Sequence, residues 1–282
     1  MNTNNVKKFL SGNEAISAGA YNAGCSVGAG YPGTPSTEIL ENFSKYDDVY
    51  SEWSVNEKVA LEVGLGASLA GARTLVTMKH VGVNVAADPL FTAAYIGVKG
   101  GLVIVSADDP NLHSSQNEQD NRNYAKAAKI PALEPSDSQE AYDFTKLAFE
   151  ISEKFDTPIF LRTTTRIAHS KGAVEYADSR EVLERRDFEK NPKKYVMIPA
   201  FARERHFFVE DRIKLLAEYA ESSDINKVEI SNSKTGFITS GISYNYVKEN
   251  YPEASILKLG MVYPLPKKKI SDFISKMDKV YV

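Results

Sequence analysis

Cysteine is almost absent from the 282 residues: Cys25 is the single example. A lone thiol cannot close an intramolecular disulfide, so a reducing compartment is the natural setting. It also excludes an iron–sulfur cluster or a multi-cysteine zinc site built from this chain by itself. Equally missing is any apolar run of about 18 residues, the length a membrane-spanning helix needs. Residues 1–10 carry lysines but no apolar stretch of signal-peptide length. Charge of one sign is not in excess either: 34 Lys and Arg stand against 37 Asp and Glu, a net charge of -3. The basic residues are interspersed with acidic ones, so no basic stripe for nucleic acid emerges. The expectation is a cytoplasmic protein whose partner is a small molecule or another protein, with neither nucleic acid nor a membrane involved.

What is present is the balance of a globular protein, 43% hydrophobic and 25% charged residues, in a chain long enough for one large or two medium domains. Along residues 11–163, helical periods alternate with short apolar runs rich in β-branched residues. That is the pattern of a doubly wound α/β domain. Ser11 and Glu14 form a capping box for a helix through Ala23. Strands are expected at 27–31, 49–53, 74–78, 102–106 and 158–163, the last closing the domain. Helices are expected from Thr34, at 57–72, at 84–96, and up to Phe155 with Ser136 and Gln139 as caps. Residues 170–206 are dense in charge, carry little periodicity and read as a linker. A helix at 207–220 follows. Strands at 235–240, 255–259 and 279–282 then alternate with helices at 242–251 and 267–277. A parallel sheet rarely ends on an uncovered strand, so this last unit is expected to be incomplete. The expected division is 1–172, a charged linker with a helix at 173–232, and a second α/β unit at 233–282.

Several segments could carry chemistry. In Tyr31-Pro32-Gly33-Thr34-Pro35, Thr34 is expected as N-cap and Pro35 in the first helical position. Gly33 permits a tight turn, and the helix start would offer N–H groups to a substrate carboxylate. Plain capping accounts for the same residues. The helix opened by Glu57 is apolar nearly all round, with Ala60, Gly64, Ala67 and Gly71 on one stripe where another backbone could approach. Glu57 is there either as a first-turn carboxylate favouring the helix dipole or as an ordinary exposed residue. Lys79-His80-Val81-Gly82-Val83-Asn84 follows a strand end, where open α/β sheets bind ligands. Lys79 and His80 suit a carboxylate or phosphate, although a lone histidine is more often structural. The polar loop 108–122 is long enough to suggest function. Its adjacent Asp108 and Asp109 seldom face one ion together, so no metal site is expected, and a solvated loop is the bland alternative.

The segments SGNEAISAGAYNAG, GYPGTPSTEILE, EWSVNEKVALEVGLGASLAGARTLVTMKHVGVNVAADPL, GGLVIVSADDPNLHSSQNEQDNR, FDTPIFLRTTTRIAHSKG and KLGMVYPLP resemble the large subunit of the indolepyruvate:ferredoxin oxidoreductases. That family lies within the wider 2-oxoacid:ferredoxin oxidoreductases. The likeness runs through residues 8–172 and resumes at about 235. It implies the pyrimidine-binding domain of a thiamine diphosphate enzyme, followed by a transketolase-C-terminal-like α/β domain that is truncated here. It puts the cofactor-activating glutamate on Glu57, with Gly82 and Asn84 beside the cofactor, and the turn that approaches the 2-oxoacid on Gly33 and Thr34. Related pyruvate enzymes use an arginine for the substrate carboxylate near the segment matching VSADDP. None stands there in this chain, which leaves Lys79, His80, His113 and Arg122 as candidates.

The resemblance further implies that magnesium and the diphosphate are held by a domain absent from these residues, and iron–sulfur clusters by another. It implies coenzyme A as co-substrate, and a smaller beta subunit, ferredoxin and an oligomer as partners. Glu57, sequestered by the apolar helix behind it, would hydrogen-bond an aminopyrimidine ring nitrogen in its protonated form. An aryl pyruvate such as indolepyruvate would lose carbon dioxide and leave as an arylacetyl-CoA. The same chemistry on pyruvate, 2-oxoglutarate or a branched-chain oxoacid is one alternative. A non-catalytic α/β binding module is another.

Overall fold

The computed structural model describes residues 5–177, 179–183 and 188–282. The first half runs β1 (Asn5–Ser11), α1 (Gly12–Asn22), β2 (Val27–Gly30), α2 (Thr37–Phe43), β3 (Tyr50–Trp53), α3 (Glu57–Leu69) and β4 (Thr74–Lys79). It continues through α4 (His80–Val85), α5 (Ala87–Ile96), β5 (Leu102–Asp108), α6 (Arg122–Ala128), β6 (Ala132–Leu133), α7 (Ser138–Phe155) and β7 (Ile159–Thr164). Then come α8 (Thr165–His169), β8 (Lys171–Ala177), α9 (Pro192–Tyr195), α10 (Pro199–Ser222) and β9 (Asn226–Glu229). The last elements are β10 (Thr235–Ser240), α11 (Gly241–Asn250), β11 (Ser255–Leu259), β12 (Met261–Tyr263), α12 (Lys267–Ile274) and β13 (Lys279–Tyr281).

Strands β4, β5 and β7 are buried at every position. A strand covered on both faces reads as such a continuous buried run. They form the centre of a seven-stranded sheet ordered β3-β2-β4-β5-β7-β6-β12, parallel except for β12, which runs antiparallel to β6. Ile16, Leu40, Phe43, Phe149 and Leu161 fill the core on one face, under α1, α2 and α7. Leu61, Val76, Leu90, Ile104 and Phe160 fill the other, under α3 and α5. The sheet is doubly wound. Because α2 and α3 lie on opposite faces, the winding reverses between β2 and β4. A crevice at such a reversal, beyond the carboxyl ends of the strands, is where open α/β sheets take ligands.

The capping box at Ser11 forms as expected: the Glu14 N–H donates to Ser11 Oγ at 3.2 Å and the Ser11 N–H to Glu14 Oε2 at 2.7 Å. Other expectations are revised. Asp137, not Ser136, caps α7, its Oδ1 accepting from the Glu140 N–H at 2.8 Å. The helix expected at 84–96 is two helices, α4 and α5, that meet at Ala86. Strand β7 does not close the sheet but lies inside it, between β5 and β6.

Within the expected linker, β8 pairs antiparallel with β1. Its outward Lys171 and Glu175 alternate with the inward Val174, which is wholly buried. Positions 178 and 184–187 of that linker lie outside the described residues. The helix expected at 207–220 starts eight residues earlier, at Pro199. Its buried stripe is Arg205, Val209, Arg212, Leu216 and Ala220, so two arginines interrupt the apolar period. Both guanidinium groups serve carbonyls at the end of α5: Arg205 donates to Tyr95 O and Arg212 to Ala94 O. Burial lowers the Arg212 pKa to about 10, against the pull of Asp156.

A second sheet is ordered β13-β10-β11-β9, with β9 antiparallel. Its Lys258, on β11, is buried and reaches across to Glu140 and, at 2.8 Å, to Ser136 Oγ at the start of α7. No helix among the described residues is long and apolar enough to cross a membrane.

Candidate functional site

The turn after β2, the first turn of α3, the start of α4 and the loop after β5 all lie at the carboxyl edge of the parallel strands. Glu57 opens α3 just behind Asn56, whose side chain caps the helix by accepting from the Val59 N–H at 3.0 Å. Glu57 is half-buried, less sequestered than expected. Its carboxylate has no hydrogen-bond or ionic partner among the described residues. The side chain lies over Gly82 of α4, where an added methyl would come within 2.5 Å of Oε1 and 2.6 Å of Cγ. Gly82 is thus small because Glu57 occupies the space above it.

The flanking helix is less uniform than its composition suggests. Ala60, Leu61, Gly64, Leu65 and Ser68 are buried, but Glu62 and Gly66 are exposed. The Ala and Gly positions do not form one surface. Ala60 and Gly64 are buried, Gly64 against Val76 of β4, whereas Ala67 is half-buried and Gly71 lies beyond the helix with φ 97. Gly82→Ala is expected to push the Glu57 carboxyl aside without loosening the fold, because alanine for glycine inside a helix stabilises by about 1 kcal/mol. Calorimetry on the complete enzyme should show an unchanged or higher melting temperature and, on the role that the resemblance assigns to Glu57, weaker thiamine diphosphate binding. A weakened fold with unchanged binding would contradict it.

Thr34 is exposed and is not the N-cap. Ser36 bonds back to Gly33 O through both its N–H and its hydroxyl, each at 2.8 Å, and this tight turn delays the helix to Thr37. The Gly33 N–H is spent on Thr37 Oγ1 at 2.9 Å and is not free for an anion. Lys79 is buried, at 9% exposure, and packs against Gly33. Its Nζ donates to Ser114 O at 2.6 Å, and Ser114 Oγ donates to Thr34 O at 3.2 Å. No carboxylate pairs with Lys79 among the described residues. An ammonium has three donors, so two remain for a ligand.

Gly33, Thr34 and Lys79 therefore meet, with Ser114 between them. His80 does not join them. It is wholly buried, its Nε2 lies 3.2 Å from Asn117 O and its Nδ1 has no partner. The histidine tethers the 109–121 loop, whose Gln119 and Asn121 also donate to His80 O. Asn84 is exposed and bonds Gln119 and Tyr124. His113 stands exposed in the same loop, and Arg122 is held by Asp120 toward β6.

A carboxyl at the carboxyl edge of the sheet, Glu57, unpartnered among the described residues, suits a ring nitrogen, and the Lys79 ammonium suits an anionic group. No group of three or more His, Cys, Asp or Glu side chains able to hold a metal occurs among the described residues. Residues 18–231 match the family model for pyruvate flavodoxin/ferredoxin oxidoreductase, thiamine diphosphate-binding. The chain belongs to this family. It is 49% identical to the indolepyruvate oxidoreductase subunit IorA of Archaeoglobus fulgidus, over 98% of this chain and 46% of that one. The IorA subunit of Methanothermobacter marburgensis is 44% identical over 97% of this chain and 46% of its own. The chain thus spans about half the length of the curated relatives it matches. Its fold is shared with a solved 2-oxoglutarate:ferredoxin oxidoreductase from Magnetococcus marinus, with 2-oxoglutarate, coenzyme A and succinyl-CoA bound. The TM-score is 0.77 at 14% identity, over 99% of this chain and 57% of that one.

Two arrangements in this family member are not apparent from its sequence. One is Asp109, which takes hydrogen bonds at 2.6 to 3.2 Å from the Ser115 hydroxyl, the Ser114 N–H, the Thr165 hydroxyl and the His113 N–H. Burial works against its charge, yet these donors hold the carboxyl well below the usual carboxylate range. The other is Arg162, buried on β7 between Asp108 at 2.8 Å and Glu134 at 2.6 Å. Burial works against this guanidinium too, and the pull of Glu134 and Asp108 outweighs it, raising the pKa. A signal for the second was available: an arginine inside IFLRTT, an otherwise uncharged strand.

Proposed function

We propose that this chain forms the aminopyrimidine-activating side of a thiamine diphosphate site. The whole protein would oxidatively decarboxylate indolepyruvate and related aryl pyruvates to arylacetyl-CoA, with ferredoxin as electron acceptor. The observation that carries this reading is the Glu57 carboxyl, half-buried and unpartnered at the reversal point of the sheet above a glycine. Thiamine diphosphate, when bound, supplies the carbon that adds to the keto group and stabilises the charge left as carbon dioxide departs. Glu57, protonated, donates a hydrogen bond to a pyrimidine ring nitrogen and so sets which ring nitrogen is free to take a proton. The surface that completes its burial comes from outside this chain, in keeping with an oligomer. Lys79, with two donors left, holds the oxoacid carboxylate from the β4 side, and the Gly33–Thr34 turn borders the same space. Magnesium, the diphosphate and the iron–sulfur clusters fall to other domains of the protein, and a smaller beta subunit completes it. The name shared by the IorA relatives supports the aryl substrate.

The test is a substrate panel on the complete enzyme with its partner subunit. Indolepyruvate should exceed pyruvate and 2-oxoglutarate in kcat/KM, and a preference for a non-aromatic oxoacid sinks the aryl assignment. In the same assay Lys79→Met should raise the KM for the oxoacid by roughly tenfold or more, the scale of a lost charge-assisted hydrogen bond. The kcat should change little, as for binding shared by ground and transition states. A wild-type KM removes Lys79 from the site.

A further inference from the structure

We propose that Asp109 is a positioning residue for oxoacid recognition: through Ser114 it fixes where the Lys79 ammonium stands. The proposal rests on the reading of Lys79 as carboxylate anchor and deepens it. Ser114 is a hub whose three polar groups face three different elements. Its N–H donates to Asp109 Oδ2 at 2.8 Å, its hydroxyl to Thr34 O at 3.2 Å, and its carbonyl accepts from Lys79 Nζ at 2.6 Å. The position of that carbonyl, and hence of the ammonium, depends on what holds the Ser114 backbone. What holds it is Asp109, only 1% exposed.

The carboxylate has no cationic partner within hydrogen-bonding reach among the described residues; its contacts are hydroxyl and backbone donors. Oδ1 accepts from the His113 N–H at 3.2 Å and from the Thr165 hydroxyl at 2.7 Å. Oδ2 accepts from Ser114 and, at 2.6 Å, from the Ser115 hydroxyl. Thr165 opens α8, so the same carboxylate ties the loop after β5 to the end of β7. Between Asp109 and His113 the backbone turns back through Asn111 and Leu112, both left-handed, with φ 69 and 53. A leucine seldom adopts that conformation unaided, and surroundings that over-determine the loop are needed to keep it there. Asp109 supplies them from beneath, and Glu118 Oε2 accepts the Asn111 N–H at 2.9 Å from the far side. Among the described residues the Lys79 ammonium has one hydrogen bond to steady it, to Ser114 O. Loosening Ser114 therefore removes the hydrogen bond that fixes where the ammonium stands, although the Lys79 stem stays packed on Gly33.

The experiment uses the complete enzyme with its partner subunit and compares Asp109→Asn, Lys79→Met and the double variant. Asparagine keeps the size but turns an NH2 toward donors. Asp109→Asn should raise the KM for the oxoacid about tenfold, the size of one lost hydrogen bond, with kcat little changed and the affinities for thiamine diphosphate and coenzyme A unaltered. In the Lys79→Met background the same substitution should add nothing. A wild-type KM in Asp109→Asn overturns the proposal, as does an undiminished effect in the double variant or a parallel loss of thiamine diphosphate binding. Should Asp109→Asn not fold, Thr165→Val removes a single bond to the carboxylate, and it must then raise the oxoacid KM only while Lys79 is present. A wild-type KM in Lys79→Met defeats the anchor itself, whereas an impaired Lys79→Met beside a normal Asp109→Asn defeats this inference alone.

Discussion

Glu57→Gln, in the complete enzyme, is expected to lower turnover about a hundred- to ten-thousandfold, the usual range for a lost proton-handling side chain. The melting temperature should stay close to that of the parent. Glutamine matches glutamate in size and still reaches the space above Gly82. It cannot, however, carry the acidic proton that orders the pyrimidine ring, so the cofactor would bind without being activated. Stability is spared because the Glu57 carboxylate has no partner among the described residues whose loss would leave a group stranded. What is forfeited is a first-turn charge on α3, about 0.3–1 kcal/mol at an exposed helix end. Thiamine diphosphate titration together with turnover separates the outcomes. Normal binding with lost turnover is the expected pair, and near-parental turnover would falsify the role of Glu57. The pattern differs from that of Gly82→Ala, where the carboxylic acid is kept but displaced and binding itself weakens.

The parts of this fold that could be read from the sequence are those specified by neighbours along the chain. Strands β10 and β11 have the bounds expected from the alternation of strands and helices, and the capping box at Ser11 declares itself within four residues. Distant partners were not legible. β8 is a strand because β1, some 160 residues earlier, pairs with it, and its charged outer residues look like linker. α10 buries Arg205 and Arg212 because the carbonyls closing α5 need donors. No helical hydrophobic pattern can announce such a need. In the site, Glu57, Gly82 and Lys79 were named from the chain, but the packing of Glu57 on Gly82 is a tertiary fact. Thr34 was misplaced as a cap because the Ser36-to-Gly33 bonds that postpone the helix compete with the ordinary N-cap signal. His80 drew attention by its place after a strand. Only its complete burial shows that it serves the loop.

Arg162→Met should cost about 3–5 kcal/mol of folding stability, as breaking a buried ion pair typically does by leaving its partners charged and uncompensated. Asp108 and Glu134 are nearly inaccessible, with side-chain exposures of 1% and 6%. Denaturant unfolding would measure the loss, and a cost below about 1 kcal/mol, the level of a surface pair, would refute it. The deficit should also depend on pH. Burial already pushes the Asp108 carboxyl above its ordinary value, with Arg162 pulling the other way. Without the arginine its folded pKa rises further. A group whose folded pKa exceeds the unfolded one contributes its stability fully below the unfolded value, and loses it as pH rises through the folded value. The variant should therefore lag its parent least near about pH 4, around the unfolded value for aspartate, and increasingly toward neutrality. A deficit that grows on acidification would contradict the assignment. Adding Asp108→Asn to Arg162→Met should recover part of the loss, because the stranded charge is gone. The recovery would be incomplete at the site itself. Asp108 Oδ2 also accepts the Asn121 N–H at 3.1 Å, and Asn121 in turn donates to His80 O at 3.1 Å. The buried pair thereby holds the far end of the loop whose near end carries Ser114, and, on the proposed role of Lys79, oxoacid KM in the double variant should stay above the parental value even where folding is restored.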